Sequence, residues 1–548
     1  MKNKLFFLTA IIIAFSQNIK AQHINFERRL VEPNIGAISD NTYKVKVADF
    51  NKDGKLDIIF STDANDNHFG YYINNGDYDF QFNNISDMLS SDVAIGDLDK
   101  DDDIDAVIVR KDYNNNVVVM YKNDGNGVFG NETVIYPDIK NAWHIDVADM
   151  NGDNNPDIIL RLRENSEIVW LENDGTANFS TQHPIYIDTT NPYLETFSYA
   201  DADNDGDIDI FIRFIIDDVH KIAWLENDGS GNFSEKKYIT NENNESSYMD
   251  FYITDLDGDG NKDILTFIRS KSDIVWYKND GSGNFGEEIL IYDYFSEPKK
   301  IYATDIDADG DEDIFVYSAP DNVTKWFPNY GQAQFPVKLN ATDFFDKLST
   351  MCSGDLDNDG DLELILGSSD TGDAIEYLIP KPCEISNPDN IQGTTTVDTT
   401  QTYEYQVNNQ SGDIASWYVT NNGKFISNNN YVKWKEIGTG SVCVVFSHND
   451  ECSSDMYCID VNVTATGINE LTKENDIVLN PNPAKNKLQL TFNNQQLNSK
   501  NIIIYNVFGQ IVKQFKTDKK QLSIDISDLQ NGVYFLKTGN ISKKFIVE

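Results

Sequence analysis

Apolar segments between residues 22 and 380 are short, and none carries a helical period of useful length. Seven of them follow directly on acidic stretches. These stretches are DFNKDGKLD from Asp49, DLDKDDDID from Asp97, DMNGDNNPD from Asp149, DADNDGDID from Asp201, DLDGDGNKD from Asp255, DIDADGDED from Asp305 and DLDNDGDLE from Asp355. Each runs into a strand-like segment such as DIIF, DAVIV or DIFIR. A second pattern places two large side chains nine residues apart around an Asn/Gly-rich turn: Tyr71 and Phe80, Met120 and Phe129, Trp170 and Phe179, Trp224 and Phe233, Trp276 and Phe285, Trp326 and Phe335. Asn-Asp-Gly between apolar segments predicts β-hairpins, because Asn and Gly tolerate the positive φ of such turns. The large side chains then pack across strands or between repeats.

Each period therefore reads as strand, acidic loop, strand, strand, Asn-Gly turn, strand. Four short strands are the content of a propeller blade, and starts 48 to 54 residues apart mark a propeller or solenoid. The seventh copy is incomplete. After Asp355 the chain reaches AIEYLIP, where no Asn-Gly turn or Phe follows. The missing strand is available in HINFERRL, so the segment near Phe26 is expected to pair with the segment near Tyr377 and remove the open sheet edge.

The formal charge of −45 opposes nucleic acid and anionic membranes as partners. It also destabilises a compact chain unless something neutralises it. The seven windows concentrate the problem, holding 32 of the 89 acidic residues. The spacing D-x-[DN]-x-[DN]-G begins like an EF-hand loop, with alternating oxygens converging on a hard cation and Gly at the sharp bend. An EF-hand then needs a bidentate Glu at position 12 and a helix. Position 12 here is Phe60, Ile108, Leu160, Ile212, Thr266, Val316 and Leu366, and the last acidic residue falls at position 9. The pattern is a cation loop between two strands.

These loops resemble the FG-GAP/VCBS repeats of integrin α-subunit propellers and bacterial surface proteins, over roughly residues 22–380. The resemblance implies a seven-bladed β-propeller whose loops hold Ca²⁺ through side chains at positions 1, 3, 5 and 9 and a main-chain oxygen at position 7. The implied side-chain ligands are Asp49, Asn51, Asp53 and Asp57 in loop one, Asp97, Asp99, Asp101 and Asp105 in loop two, and Asp149, Asn151, Asp153 and Asp157 in loop three. Loop four offers Asp201, Asp203, Asp205 and Asp209, and loop five Asp255, Asp257, Asp259 and Asp263. Loop six offers Asp305, Asp307, Asp309 and Asp313, and loop seven Asp355, Asp357, Asp359 and Glu363. Asp102 and Asn154 stand where Gly is expected, loop three carries Asn151 and Pro156, and loop seven ends in Glu363, so weaker sites are expected there.

Outside the repeats, MKNKLFFLTAIIIAFSQNIKAQ reads as a secretory signal peptide over residues 1–21, its apolar run too short to span a bilayer. No later run is long enough for a membrane span. Residues 381–466 lack the repeat and show short alternating segments, which predicts a small β-sandwich. WYVTNNGKFISNNNYVKWKEIGTGSVCVVF resembles PKD-like, immunoglobulin-type spacer modules. Cys383, Cys443, Cys452 and Cys458 predict two disulfides of open connectivity, while Cys352 stands apart as an expected buried apolar residue. A polar linker spans 467–476. Residues 477–548 carry ten Lys against four acidic residues, and IVLNPNPAKNKLQLTF, IIIYNVFGQIV and DLQNGVYFLKTGNISKKFIVE resemble the sorting domain of type IX secretion cargo in Bacteroidetes. That resemblance implies the type IX machinery as partner and a cell-surface destination. The fold class expected is all-β: a seven-bladed propeller followed by two small β-sandwich domains.

No zinc helix motif, Gly-x-Ser-x-Gly elbow or phosphate-cradling loop occurs. Only seven arginines are present, and Arg110, Arg161, Arg163, Arg213 and Arg269 sit near the ends of strands that leave the acidic loops. They are expected on the face opposite those loops, as salt-bridge partners or as a ligand face for an anionic glycan. The expected function is non-catalytic binding of glycan or protein at the cell surface. The alternatives are a polysaccharide-degrading enzyme on a propeller scaffold and a structural surface component.

Overall fold

A computed structural model describes residues 24–31, 42–62, 69–88, 90–110, 116–139, 142–163, 166–187, 193–240, 248–268, 270–342, 347–368, 375–383, 385–408, 413–420, 423–425, 430–464, 477–492, 500–506, 510–538 and 541–547. The expected signal peptide, the 467–476 linker and Arg269 lie outside these residues. All the regular elements among the described residues are β-strands. No helix among them is long and apolar enough to cross a membrane.

Seven four-stranded antiparallel sheets occupy the described residues from 24 to 382. The first is typical, with strands Thr42–Ala48, Asp57–Thr62, Phe69–Asn74 and Phe80–Ser86 in sequence order and the acidic loop between the first two. Its second strand explains why such segments are apolar throughout. Ile58 and Phe60 share a buried cluster with Ile365 and Tyr377 of the seventh sheet, whereas Ile59 shares one with Val93 and Val119 of the second. Alternate side chains thus meet different neighbouring sheets, so both faces must be apolar. Each of the three is fully buried and contributes about 1.5–3 kcal/mol relative to exposure.

The same sharing recurs from sheet to sheet. Val107 and Val109 cluster with Ile158 and Leu160, Trp170 with Phe197 and Ile210, Phe211 and Trp224 with Ile264 and Val275. Leu265 and Trp276 cluster with Ile314 and Val316, then Phe315 and Trp326 with Leu364 and Leu378. With the seventh sheet packed on the first, the succession of sheets closes on itself.

The last sheet is completed from the other end of the repeat region. Ile24–Leu30 pairs antiparallel with Ile375–Pro382, setting Phe26 opposite Pro380 and Arg29 opposite Tyr377, as the sequence predicts. Phe26 stands edge-on to Trp326 at 5.4 Å, and Arg28 pairs with the buried carboxylate of Glu376. Separate parts of the chain thus supply one sheet, which leaves no unpaired strand where the repeats begin and end.

Residues 391–464 form a four-stranded and a five-stranded sheet. Of the three pairings open to the clustered cysteines, the structure has Cys383–Cys452 and Cys443–Cys458. Cys352 is free and only half-buried, because it lines a cavity open to solvent. Farther on, a three-stranded sheet containing Lys487–Phe492 and a four-stranded sheet containing Lys500–Asn506 share a core of Leu488, Leu490, Ile502, Leu536 and Phe545. Contacts divide the chain into two compact units, one of residues 1–392, 406–418 and 442–459, the other of 393–405, 419–441 and 460–548.

Candidate metal centres

Each acidic loop winds around its own first carboxylate. In loop five Asp255 accepts the main-chain N–H of Asp259 at 3.0 Å and of Gly260 at 2.8 Å, and Asp259 accepts that of Asn261 at 3.0 Å. Loop one repeats this with Asp49, Asp53, Gly54 and Lys55, and loop six with Asp305, Asp309, Gly310 and Asp311. The winding requires left-handed backbone at position 6. Gly supplies it in five loops, while Asp102 and Asn154 adopt it at φ of 67° and 63°. Position 4 is also left-handed, through Lys52, Lys100 and Ala308 among others, which the sequence pattern did not reveal. Replacing Asp102 by Gly should therefore raise stability by about 0.5–1 kcal/mol, measured as a higher urea midpoint at unchanged slope.

The winding turns the remaining carboxylate oxygens toward one another. Ligand atoms of Asp97, Asp99 and Asp101 lie within 4.8 Å of each other, as do those of Asp255, Asp257 and Asp259, of Asp305, Asp307 and Asp309, and of Asp355, Asp357 and Asp359. In loop four the convergent set is Asp201, Asp203 and Asp209. Loops one and three, with Asn51 and Asn151 at position 3, bring no three carboxylates together among the described residues.

Several converging oxygens are buried and accept no hydrogen bond: one each on Asp99, Asp201, Asp203, Asp257 and Asp355, both on Asp307, and one each on Asp309 and Asp313. A buried anionic oxygen without a donor is costly, and a hard divalent cation is the partner that oxygen-only sets of this kind fit. Lysine ammoniums stand on three of the loops: Lys55 at Asp53 in loop one, Lys122 at Asp99 and Lys52 at Asp103 in loop two, and Lys278 at Asp257 and Asp259 in loop five. In loop seven the Tyr78 hydroxyl donates to Asp357 at 2.7 Å and to Glu363 at 3.1 Å. Among the described residues loop six has neither, and it holds four unpartnered oxygens, so its residues fit a cation best.

Position 9 has a second task. Asp57 is fully buried and accepts the N–H of Phe50 at 2.9 Å and of Asn74 at 2.8 Å, fastening the loop to the hairpin. Asp105, Asp157, Asp209, Asp263 and Glu363 are bound in the same way on one or both oxygens. Burial pushes the Asp57 carboxyl up to about 6 and those of Asp105, Asp157, Asp209, Asp263 and Glu363 to about 7. Burial together with Asp309 and Asp305 pushes Asp307 to about 8. All these shifts record a region that disfavours further negative charge.

The hairpin Asn is a functional residue that the turn pattern concealed. Positive φ in the turns falls on Gly125, Gly175, Gly229, Gly281 and Gly331, not on the preceding Asn. Asn279 is fully buried, and its amide donates to the carbonyl of Lys262 in its own loop at 3.0 Å and of Ala202 in the preceding loop at 2.6 Å. Asn74, Asn123, Asn173, Asn227 and Asn329 make the equivalent pairs, reaching back to Leu356, Phe50, Leu98, Met150 and Leu256. Each acidic loop so served is tied to the next.

The second turn glycine has a steric reason. A Cβ on Gly283, at φ of 69°, would lie 2.3 Å from the Trp224 ring of the preceding sheet. Gly283→Ala should lower stability by about 2–4 kcal/mol through backbone strain and displacement of that ring, read as a lower urea midpoint.

The arginines divide. Arg110 pairs with Glu132 and Arg213 with Glu195 at 3.0 Å. Arg161 is buried, with Arg163 and Arg213 close enough for their charges to act on it. His144 stacks on Phe197 at 4.4 Å, and burial, with Lys44 nearby, holds it well below the usual histidine range.

Residues 97–160, 201–266, 255–316 and 305–366 match the FG-GAP-like repeat, and residues 478–548 match the secretion system C-terminal sorting domain. No curated protein matches. Among solved structures, an Agrocybe aegerita lectin described as recognising non-reducing terminal N-acetylglucosamine is 17% identical, with a TM-score of 0.45 over 60% of this chain and 92% of the lectin. The Dos1 propeller is 9% identical, with a TM-score of 0.37 over 65% of this chain and 95% of its own. The WD40 domain of Toxoplasma gondii coronin is 10% identical, with a TM-score of 0.41 over 66% and 89%. The chain thus carries FG-GAP-like repeats within a succession of four-stranded sheets and ends in a type IX secretion sorting domain.

Proposed function

We propose that the chain is an exported, calcium-clamped seven-bladed propeller that binds a glycan or protein at the cell surface without chemical turnover. The observation that carries this reading is the convergence of buried, donor-free carboxylate oxygens in the loops between the first and second strands of the sheets. Calcium would be held by positions 1, 3, 5 and 9, most completely in loops two, four, five, six and seven, with the Asn-containing loops one and three weaker; for loops two and seven this ranking departs from the weaker binding that Asp102 and Glu363 lead one to expect. The ion supplies positive charge where the acidic residues are densest and cross-links the two ends of each loop. Residues 381–466 would act as a PKD-like sandwich spacer, and 477–548 as a second sandwich that serves as the surface tag.

Two experiments test the reading. Deleting residues 478–548 should retain the protein in the periplasm, so protease shaving of intact cells would no longer cleave it. Continued cleavage would contradict the export assignment. A glycan and protein array probed at about 1 mM calcium should give ligands lost on chelation, and release of shortened sugars from any hit would contradict the non-catalytic role.

A further inference from the structure

The first strands of the sheets, joined by Arg161 from a second strand, line a solvent-open cavity of 670 Å³. Its charge departs from that of the chain. Lys44, Lys46, Arg161 and Lys300 face Asp92, Asp146 and Asp250, four cations against three carboxylates, whereas the whole chain has 44 basic against 89 acidic residues.

Arg161 is the least explained of these cations. It is 9% exposed, and it donates through Nη1 to the main-chain carbonyl of Glu195, but no carboxylate pairs with it among the described residues. Its Nε is buried without a hydrogen-bond partner, and Nε2 of His144, the residue opposite it in the strand register, makes no hydrogen bond but stands 3.6 Å from the Asp92 carboxylate. The nearby Glu195 carboxylate acts on Arg161 through its charge but is engaged by Arg213 and His220, so the buried guanidinium is left without a bonded anion, an unfavourable arrangement. Arg163, two positions on, is exposed and lies over the rings of Trp143 at 4.9 Å and Tyr193 at 5.9 Å, Trp143 being part of the cavity wall.

We propose that this cavity binds an acidic sugar, its carboxylate or sulfate held by Arg161 and its ring packed near Trp143 and Arg163. A guanidinium presents two parallel N–H groups to either anion. An indole suits the C–H side of a pyranose, and the wall carries the hydroxyls of Tyr252, of Tyr302, which also meets Ser353 Oγ at 3.0 Å, and of Thr196. The volume lies within the ordinary range for small-ligand sites. The proposal rests on the non-catalytic binding reading and specifies its ligand.

Isothermal titration of the full chain in calcium with D-glucuronate, glucose 6-sulfate and glucose tests it. One or both anionic sugars should bind at least tenfold more tightly than glucose, and which one does so separates carboxylate from sulfate recognition. Arg163→Gln, on an exposed side chain, should weaken that binding about tenfold while the melting temperature and calcium uptake stay unchanged. Arg161→Gln should abolish it, and if that variant does not fold, Arg163→Gln decides alone. Equal affinity for glucose, or unaltered binding by Arg163→Gln, overturns the site. A ligand from the array that the arginine variants still bind would overturn the site and leave the binding function standing, whereas new reducing ends from an oligoglucuronate would contradict the non-catalytic reading itself.

Discussion

Chelation of calcium should lower the melting temperature of the full chain by more than about 10 °C. At about 2 mM calcium and a dissociation constant near 10⁻⁴ M, each loop adds about 1.8 kcal/mol to the folded state. Five loops with convergent carboxylates then add about 9 kcal/mol, comparable with the whole stability of an ordinary domain. The lost stability should return when calcium is restored, and magnesium should restore less, because flexible oxygen-rich loops suit the larger ion. Differential scanning calorimetry in EDTA, calcium and magnesium reads all three conditions. Identical curves would remove the cation from the account.

Replacing Asn279 by Ala should be the most damaging single substitution in the hairpins. The change leaves the carbonyls of Ala202 and Lys262 without their donor and removes the oxygen that accepts the N–H of Gly281 at 3.1 Å. Buried groups left unsatisfied cost about 1–3 kcal/mol each, so a loss of about 3–5 kcal/mol is expected. Because Asn279 joins loop five to loop four, Asn279→Ala should also weaken calcium uptake beyond its own loop. The exposed Asn284 bonds through its side chain to Asp280 in the same turn, and Asn284→Ala should shift stability by less than about 1 kcal/mol. Urea melts of the two variants distinguish a buried tie from a turn preference. Equal effects would contradict the tie.

The period of the acidic loops, the strands around them and the pairing of the Phe26 and Tyr377 segments were legible because each depends on local pattern. Asp-rich loops must face water or a cation, and an incomplete repeat leaves one strand to be supplied. The Asn ties were not legible. Asn before Asp-Gly is already accounted for by turn chemistry, and only the approach of the preceding sheet shows what Asn279 does. Position 9 was read purely as a ligand, but burial makes Asp57 an acceptor for Phe50 and Asn74 as well. Strand direction set Arg161 and Arg163 apart from the acidic loops, yet it could not foresee that Arg110 meets Glu132 while Arg161 meets no carboxylate among the described residues. Likewise, four cysteines fixed the number of disulfides but not that Cys383 would join Cys452.

The most direct test of the account is the number of calcium ions bound per chain at saturation. Equilibrium dialysis with radioactive calcium should return at least five, falling by one when Asp305, Asp307 and Asp309 are all changed to Asn, with the far-ultraviolet spectrum retained. A value of none or one, or an unchanged count in the triple variant, would contradict the claim that these loops are cation sites.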